Sequence, residues 1–476
     1  MTNWKRLIQK EGVSFEAKKC SNTLPQSFWP TYSSFANTFG GTIVLGLTED
    51  PEKRSTLTPT GVTDPDKIIR DIWDQVNNTQ KVSVNILNES DVYIIDADGH
   101  HLVVVDVPRA ERAKRPVYIN NNMNNGTYRR NGEGDYHCSM AEISEMIRDS
   151  TERSSDSKLT ENARLSDLDP KSLSAYRQMF TNLMPTHVWS TISDEEFLRV
   201  IGAADYDEKG ILRPTMAGLL MFSWDYTITK ELPKYSLDCF FYNDDGEWYN
   251  RISSDSGDWA GNLFSFSNMV LSTLYSDSDK PFSLNGVVRV DDNDRIKAER
   301  ELMMNALIHA DYEGTGGIRI EVRPDTLTLY NPGTLRIPLK KILEGGCSDP
   351  RNRSIMKMFR LIGLVERAES GIPRVISVCE KIGIPRPLIE EMTDPTRIKV
   401  AVTRIAKNNV SVSIRRDVTE NMLIDLLSEH GDYTIEKMAG ELGCSTSKIS
   451  RLLDGLKEKG FIERIGTKKK GTWVVK

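Results

Sequence analysis

The segment FEAKK, residues 15–19, sets a carboxylate and an ammonium two positions apart. In an extended strand Glu16 and Lys18 share one face, while Phe15 and Ala17 share the other. Glu11 lies upstream, and Glu49 and Asp50 follow the strand-like run TIVLGL (42–47). If the strand carrying Glu16 pairs beside that run, the carboxylates of Glu11, Glu16 and Glu49 or Asp50 converge. Three carboxylates in one pocket suit Mg²⁺ or Mn²⁺, hard cations that take oxygen ligands. Such a metal polarises a phosphate and activates a water, with Lys18 stabilising the charge that develops. The alternative is a surface Glu16–Lys18 ion pair worth about 0–1 kcal/mol.

Two further groupings carry chemistry. In ELMMNALIHADY (301–312), Glu301, Asn305 and His309 recur every fourth residue, on one stripe of a helix otherwise built of Leu, Met, Ala and Ile. That stripe is either a polar site or a narrow solvent-facing edge of a core helix. Arg109, Arg112, Lys114, Arg115, Arg129 and Arg130 form a basic concentration with Tyr118 and Tyr128 interleaved. Cations for a phosphate backbone with aromatics for unpaired bases describe an RNA-binding surface. A solvated loop is the alternative.

The elements that must position these residues are legible from periodicity. Besides TIVLGL, strand-like runs occur at KVSVNIL (81–87), VYIIDA (92–97) and HLVVVDVP (101–108). Between the first two of these four runs, DPDKIIRDIWDQVNN places Ile68, Ile69, Ile72 and Val76 at helical spacing. The prediction is an α+β multidomain chain: a first domain over 1–150, a mixed α/β middle region over 151–290, a third domain over 291–408 and a last over 417–476. The Ser-rich segment 150–167 marks the first boundary. In the third domain GIRIEVRPDTLTLYNPG reads as a hairpin turning at Pro324-Asp325. The middle region holds no motif tied to chemistry.

Composition bounds the class. Hydrophobic residues make up 38% and charged residues 27%, with a net charge of −6. These are ordinary values for a globular protein, and the start of the chain reads as no leader peptide. No apolar run reaches the ~20 residues of a membrane span, so the expected location is cytoplasmic. The six cysteines are scattered without Cys/His spacing, which argues against a zinc site. Overall charge gives no case for nucleic acid; local charge does.

That local case is strongest at the C-terminus. Thr434 and Ser445 are placed to cap successive helices separated by Gly443, and Ile449, Leu452, Leu453 and Leu456 form the buried stripe of the second. Its outward positions include Lys448 and Arg451, and the following FIERIGTKKKGTWVV makes a basic hairpin containing Lys468, Lys469 and Lys470. Residues 434–476 hold ten Lys/Arg against five Asp/Glu. The pattern resembles a winged helix-turn-helix domain, which implies contacts to DNA or RNA, or to another protein.

Two more resemblances follow. The helix 301–312, with LTLYNPGTL, SDPRNRSIMKMFRLIGLVERAESGIPR and CEKIGIPRP, resembles a divergent GHKL-type ATPase domain, an α/β sandwich. The resemblance implies ATP as cofactor, with Glu301, Asn305 and His309 on the N-box helix and Asn305 helping to hold magnesium. Asn331 and Gly333 stand where that family carries Asp-x-Gly-x-Gly, and the phosphate loop is reduced to Glu369-Ser370-Gly371-Ile372. EGVSFEAKK, SSFANTFGGTIVLGLTED and RPVYINNNMNNGTYRRNG together resemble the Schlafen AlbA-type domain. In nuclease-active Schlafen proteins an acidic triad cleaves RNA, notably tRNA. The resemblance puts that triad on Glu11, Glu16 and Glu49, with Asp50 adjacent.

The expectation is therefore a nucleic-acid-binding Schlafen-like protein. It would act as a metal-dependent endoribonuclease in cell or anti-phage defence, with Mg²⁺ or Mn²⁺ and ATP as cofactors, RNA or DNA as partner, and a homo-oligomeric state. The alternative is a non-catalytic DNA-binding transcription regulator whose GHKL-like domain senses a nucleotide.

Overall fold

The computed structural model describes residues 12–476 apart from 50–56, 153, 277–283, 286–287, 290–293, 366–370, 394–395, 405–422, 424–425, 428–429, 443, 459–461, 468–469 and 476. The chain forms two compact units, Met1–Arg404 and Ile405–Lys476. Among the described residues no helix is long and apolar enough to cross a membrane.

The first unit opens with β1 (Phe15–Lys18), which pairs in parallel with β2 (Gly41–Leu45). Helix α1 (Phe28–Asn37) connects them and buries Phe28, Trp29, Tyr32 and Phe35. At Gly40 the backbone turns with φ +78°, and a Cβ there would lie 2.9 Å from Val107 O, so the helix-to-strand turn requires glycine. Helix α2 (Pro65–Val76) is capped by Asp64, which accepts from Lys67 N at 2.9 Å, and it buries Ile68, Ile72 and Val76 along one stripe. Strands β3 (Val92–Ala97) and β4 (His100–Val107) complete a sheet in the order β1-β2-β4-β3. Its central strands carry apolar side chains on both faces because both are covered.

KVSVNIL departs from its period-2 pattern and forms no strand; only Val82 makes a bridge, to Ile119. Its backbone donors go elsewhere: Ile86 N to Tyr32 Oη (3.2 Å), Leu87 N to Asn85 Oδ1 (2.9 Å) and Ser83 N to Tyr118 O (2.9 Å). Alternating apolar residues can line an irregular segment equally well once side chains satisfy its amides. The hairpin β5 (Tyr128–Asn131) and β6 (Gly134–His137) follows, then α3 (Met140–Ser150) with a Ser139/Glu142 capping box.

Between residues 151 and 404 the first unit builds a single core. Helices α4 (Pro170–Leu183), α5 (Met216–Phe222) and α6 (Leu263–Ser276) share it with α7 (Asp294–His309). Strands β7 (Leu237–Tyr242) and β8 (Trp248–Ser253) join β9 (Ile318–Val322) and β10 (Thr326–Pro332), and helices α8 (Arg353–Leu361) and α9 (Gly371–Ile382) precede β11 (Leu388–Thr393) and β12 (Thr396–Thr403). The six strands run in the order β8-β7-β9-β10-β12-β11. Strands from either side of residue 290 therefore build one sheet, with β7 parallel to β9 and the predicted hairpin at Pro324-Asp325 as β9–β10. Leu237, Cys239, Phe241, Ile320, Leu327 and Leu329 face the core, and the intervening residues face outward.

The second unit contains α10 (Ile435–Leu442), α11 (Thr446–Glu458) and the hairpin β13 (Ile462–Thr467) and β14 (Lys470–Val475). Thr434 and Ser445 cap the two helices by accepting from Lys437 N and Lys448 N, each at 3.3 Å. Met438, Leu442, Ile449, Leu453, Leu456, Ile462 and Trp473 close the core.

Candidate functional site

The FEAKK strand presents Glu16 to cations. Its Oε1 accepts from Lys18 Nζ at 2.8 Å and its Oε2 from Arg130 Nη2 at 2.6 Å. Arg130, on β5, has a fully buried side chain, and it also bonds Asp135 Oδ1 (2.9 Å) and the carbonyl of Gly12 (2.9 Å). Ser34 and Thr31 close the network by donating to Asp135 at 2.5 and 2.6 Å. Both Glu16 oxygens thus face positive charge, an arrangement that does not fit a metal ligand. Glu11 and Asp50 lie outside the described residues, as does the side chain of Glu49. Among the described residues no cluster of three His, Cys, Asp or Glu side chains could hold a metal.

The basic concentration at 109–130 requires correction. Arg109 is bidentate to Glu391 on β11 (2.5 and 2.9 Å), and Arg112 pairs with Asp349 while donating to the carbonyls of Asp149 (2.8 Å) and Thr151 (3.0 Å). Arg115 is buried, and that burial pulls it down to about 10; Arg129 is half-buried against Glu142 at 2.9 Å. Arg130 is consumed by Glu16 and Asp135. Of the six, only Lys114 is exposed. Arg109 and Arg112 are structural cations in a seam between the N-terminal domain and the domain of the six-stranded sheet, whereas Arg129 and Arg130 pair within the N-terminal domain. A planar guanidinium fork matches a carboxylate held across such a seam.

The seam centres on Arg351. Its Nε and Nη2 grip Asp149 at 2.9 and 2.8 Å, and its Nη1 donates to His309 O at 2.5 Å. Burial alone would raise Asp149, but the Arg351 charge and hydrogen bonds outweigh it and hold the carboxyl below its ordinary value. Glu145, one turn earlier on α3, feels the same Arg351 charge more weakly: burial, reinforced by Asp311, outweighs it and lifts the carboxyl to about 7. The folded chain therefore holds this proton more tightly than the unfolded chain. Its contribution to stability is complete below pH 4.5 and is lost as pH rises through about 7. Glu145→Gln is neutral at every pH, so its stability relative to wild type, read by urea unfolding, should climb across that window. A difference that stays flat would show that Glu145 is not held protonated.

Beyond the seam lies a cleft of about 570 Å³ lined by Glu301, Asn305, His309, Asn331 and Gly371, five of the six residues singled out in the sequence for a cofactor. Helical spacing on α7 aims the first three into it, and β10 supplies Asn331. Asn305 Nδ2 donates to Glu301 Oε1 at 3.4 Å, and a Cβ on Gly371 would come within 2.8 Å of that same oxygen, so α9 passes close to this end of the Glu301 side chain. Gly333 is not in the lining. It turns at φ +103°, where a Cβ would strike Arg351 Nη1 at 2.6 Å, so it shapes the seam instead. Burial, then the charges of Arg351 and Arg336, pull His309 down to about 4 and keep its imidazole neutral at pH 7.

Residues that sequence reasoning did not assign complete the cleft. Arg336, Asp349, Arg353, Arg360 and Arg374 line it, over apolar walls that include Leu302, Ile372 and Ile398. Three buried N–H groups of lining residues, Asn331 Nδ2, Arg336 Nε and Arg360 Nε, have no hydrogen-bond partner among the described residues. Arg336 Nε lies 3.6 Å from Asp349, and its Nη1 donates to Pro350 O at 3.0 Å. The run SDPRNRSIMKMFR carried the signal for Asp349, Arg353 and Arg360. Nothing local marked which of its arginines faces inward.

In the second unit Arg451 is exposed on α11 and Lys448 is half-buried. Lys470 opens β14, while Lys468 and Lys469 lie outside the described residues.

Comparison with known families agrees with this architecture. Residues 10–139 match the Schlafen AlbA_2 family, 316–400 the putative ATP-dependent DNA helicase recG C-terminal family, and 418–467 the MarR family. Residues 144–238 match a domain of unknown function, DUF8451. Among solved structures, a Corynebacterium diphtheriae protein aligns over 98% of this chain and 80% of its own, at 20% identity and a TM-score of 0.40. The N-terminal domain of a putative ATP-dependent DNA helicase RecG-related protein from Nitrosomonas europaea aligns over 29% of this chain and 90% of its own, at 26% identity and a TM-score of 0.22. No curated protein matches the chain. The chain is an α+β multidomain protein with a Schlafen AlbA-type domain, a RecG C-terminal ATPase-like domain and a MarR-type winged helix. Its two end domains point to nucleic acid as the partner class.

Proposed function

We propose that this chain, AlbA-type at one end and winged-helix at the other, is a nucleotide-responsive DNA-binding regulator. The winged helix would contact duplex DNA, and the cleft beside α7 would hold a nucleoside polyphosphate such as ATP. The observation that carries this reading is that Asn331 Nδ2 and Arg360 Nε, buried donors of two residues lining one cleft, have no hydrogen-bond partner among the described residues. A buried donor without an acceptor costs about 1–3 kcal/mol. A ligand that restores the acceptors therefore gains affinity from each.

The cleft chemistry fits that ligand class. Apolar walls suit a base and sugar, the Asn331 amide offers a donor and an acceptor to a base edge, and Arg336 and Arg360 suit phosphate oxygens. Glu301 and Asn305 would hold a magnesium ion, which when bound supplies neutralisation of phosphate charge. A neutral His309 adds no charge of its own. Arg112 reaches from the N-terminal domain to Asp349, a wall residue, so occupancy of the cleft has a direct route to that domain.

Titration calorimetry with ATP and Mg²⁺ on the full chain tests the reading. A hydrogen bond to a charged group is worth about 1.5–3 kcal/mol, so Arg360→Met should weaken ATP by at least about tenfold. Asn331→Leu should weaken it by a smaller factor. ATP should also shift the affinity for duplex DNA, read by anisotropy. Equal ATP affinity in wild type and both variants would overturn the assignment.

A further inference from the structure

The outward face of the six-stranded sheet is unlike an ordinary solvated sheet. Pairing register places Tyr242 opposite Trp248 and Phe240 opposite Arg251, with Phe240 beside Glu321 and Asp238 beside Arg319 on the neighbouring strand. Arg319 lies opposite Tyr330, and Tyr330 opposite Lys399. Residues opposite one another share a face, so aromatics and cations alternate across β8, β7, β9, β10 and β12.

The alternation is in contact. The guanidiniums of Arg251 and Arg319 lie 5.1 and 4.8 Å from the Phe240 ring, that of Arg323 lies 3.8 Å from Tyr242, and that of Arg397 lies 4.8 Å from Tyr330. Trp248 meets Phe240 edge-on at 6.4 Å and is 58% exposed. The Arg319 side chain is 48% exposed. The face thus consists of flat groups, rings below and guanidinium planes above, open to solvent.

Charge selects the partner. Five cations (Arg251, Arg319, Arg323, Arg397 and Lys399) stand against three carboxylates, in a chain of net charge −6. Asp238 pairs with Arg251 (2.6 Å), Glu321 with Arg319 (2.8 Å) and Arg323 (3.6 Å), and Glu390 with Lys399 (3.0 Å), so five cations against three carboxylates leave these strands an excess of two positive charges. A polyanion with flat, unpaired bases meets this surface on both counts, because bases stack on aromatic rings and on arginine planes. A duplex hides its bases and would find only the charge. The Tyr330 hydroxyl, on the same face, adds a hydrogen-bonding partner for a 2′-hydroxyl, which DNA lacks.

We infer that this sheet face is a binding platform for single-stranded RNA, separate from the nucleotide cleft on the opposite side of the sheet and independent of whether that cleft binds ATP. The test is fluorescence anisotropy of the full chain with a twelve-residue oligo(U), the matching oligo(dT) and a DNA duplex. Trp248→Ala and the pair Arg319→Ser/Arg323→Ser are partly exposed changes that should leave the fold intact, checked by circular dichroism. Loss of one stacking contact should weaken oligo(U) by about fivefold or more. Duplex binding should be unchanged, and oligo(dT) should bind less tightly than oligo(U) in the wild type. Unchanged oligo(U) affinity in both variants would overturn the platform, as would equal loss on the duplex. Equal binding of oligo(dT) and oligo(U) would overturn the assignment to RNA.

Discussion

Arg351→Met should lower the stability of the first unit by about 3–5 kcal/mol, the usual consequence of removing one member of a buried ion pair. Arg351 and Asp149 have side chains 5% and 7% exposed, and the guanidinium also serves His309 O (2.5 Å) and Thr334 O (3.2 Å). Methionine fills much of the volume but leaves the Asp149 carboxylate without its bidentate cation. Urea unfolding at pH 7 followed by tryptophan fluorescence reads the loss. The double variant Arg351→Met/Asp149→Leu should recover a large part of it, because an apolar pair of similar volume needs no counterion. A loss below about 1 kcal/mol would mean that water, and not the arginine, compensates Asp149. The position also bears on the cleft, since Arg351 ties the backbone of the lining residue His309 to Asp149 at the end of α3.

Arg130→Met should cost up to about 3–5 kcal/mol, because it takes the buried guanidinium from two carboxylates and leaves Glu16 only Lys18 and Asp135 only the Ser34 and Thr31 hydroxyls. The measurement is sharpest when paired with nucleic-acid binding. A cation that contacts a phosphate on the surface changes stability by about 0.5 kcal/mol or less, and its removal lowers the salt slope of binding by about one. A buried structural cation does the reverse. The expected result is a large fall in the urea midpoint with an unchanged salt slope in the folded variant. An unchanged midpoint with a reduced slope would return Arg130 to a nucleic-acid interface.

These two arginines show how charge in a sequence can mislead. Arg109, Arg112, Arg115, Arg129 and Arg130 form a basic run with aromatics, and local reading assigns such a run to phosphate. The partners of Arg109 and Arg112 are distant in the chain: Glu391 is 282 residues from Arg109, and Asp349 is 237 from Arg112. No window along the sequence contains both members of either pair. The sheet face was hidden for the same reason. Phe240 and Arg319 are unremarkable apart, and it is the parallel pairing of β7 with β9 that sets them together.

What the sequence determined by itself is whatever depends on neighbours within a few residues. The capped helices and buried stripe of the winged helix, the α2 stripe of Ile68, Ile72 and Val76, and the β9–β10 hairpin each follow from local periodicity and turn chemistry. So does the convergence of Glu301, Asn305 and His309, because residues four apart on a helix must point the same way. The tertiary structure alone decided which cations are spent. Glu16 became a partner of Arg130, 114 residues away, and the donors of Asn331, Arg336 and Arg360 were brought to one cleft from β10, the segment after it and α8. The physical reason is range: backbone geometry acts over one helical turn or one strand repeat, whereas the cost of a buried charge or donor is settled by whichever group the fold carries to it.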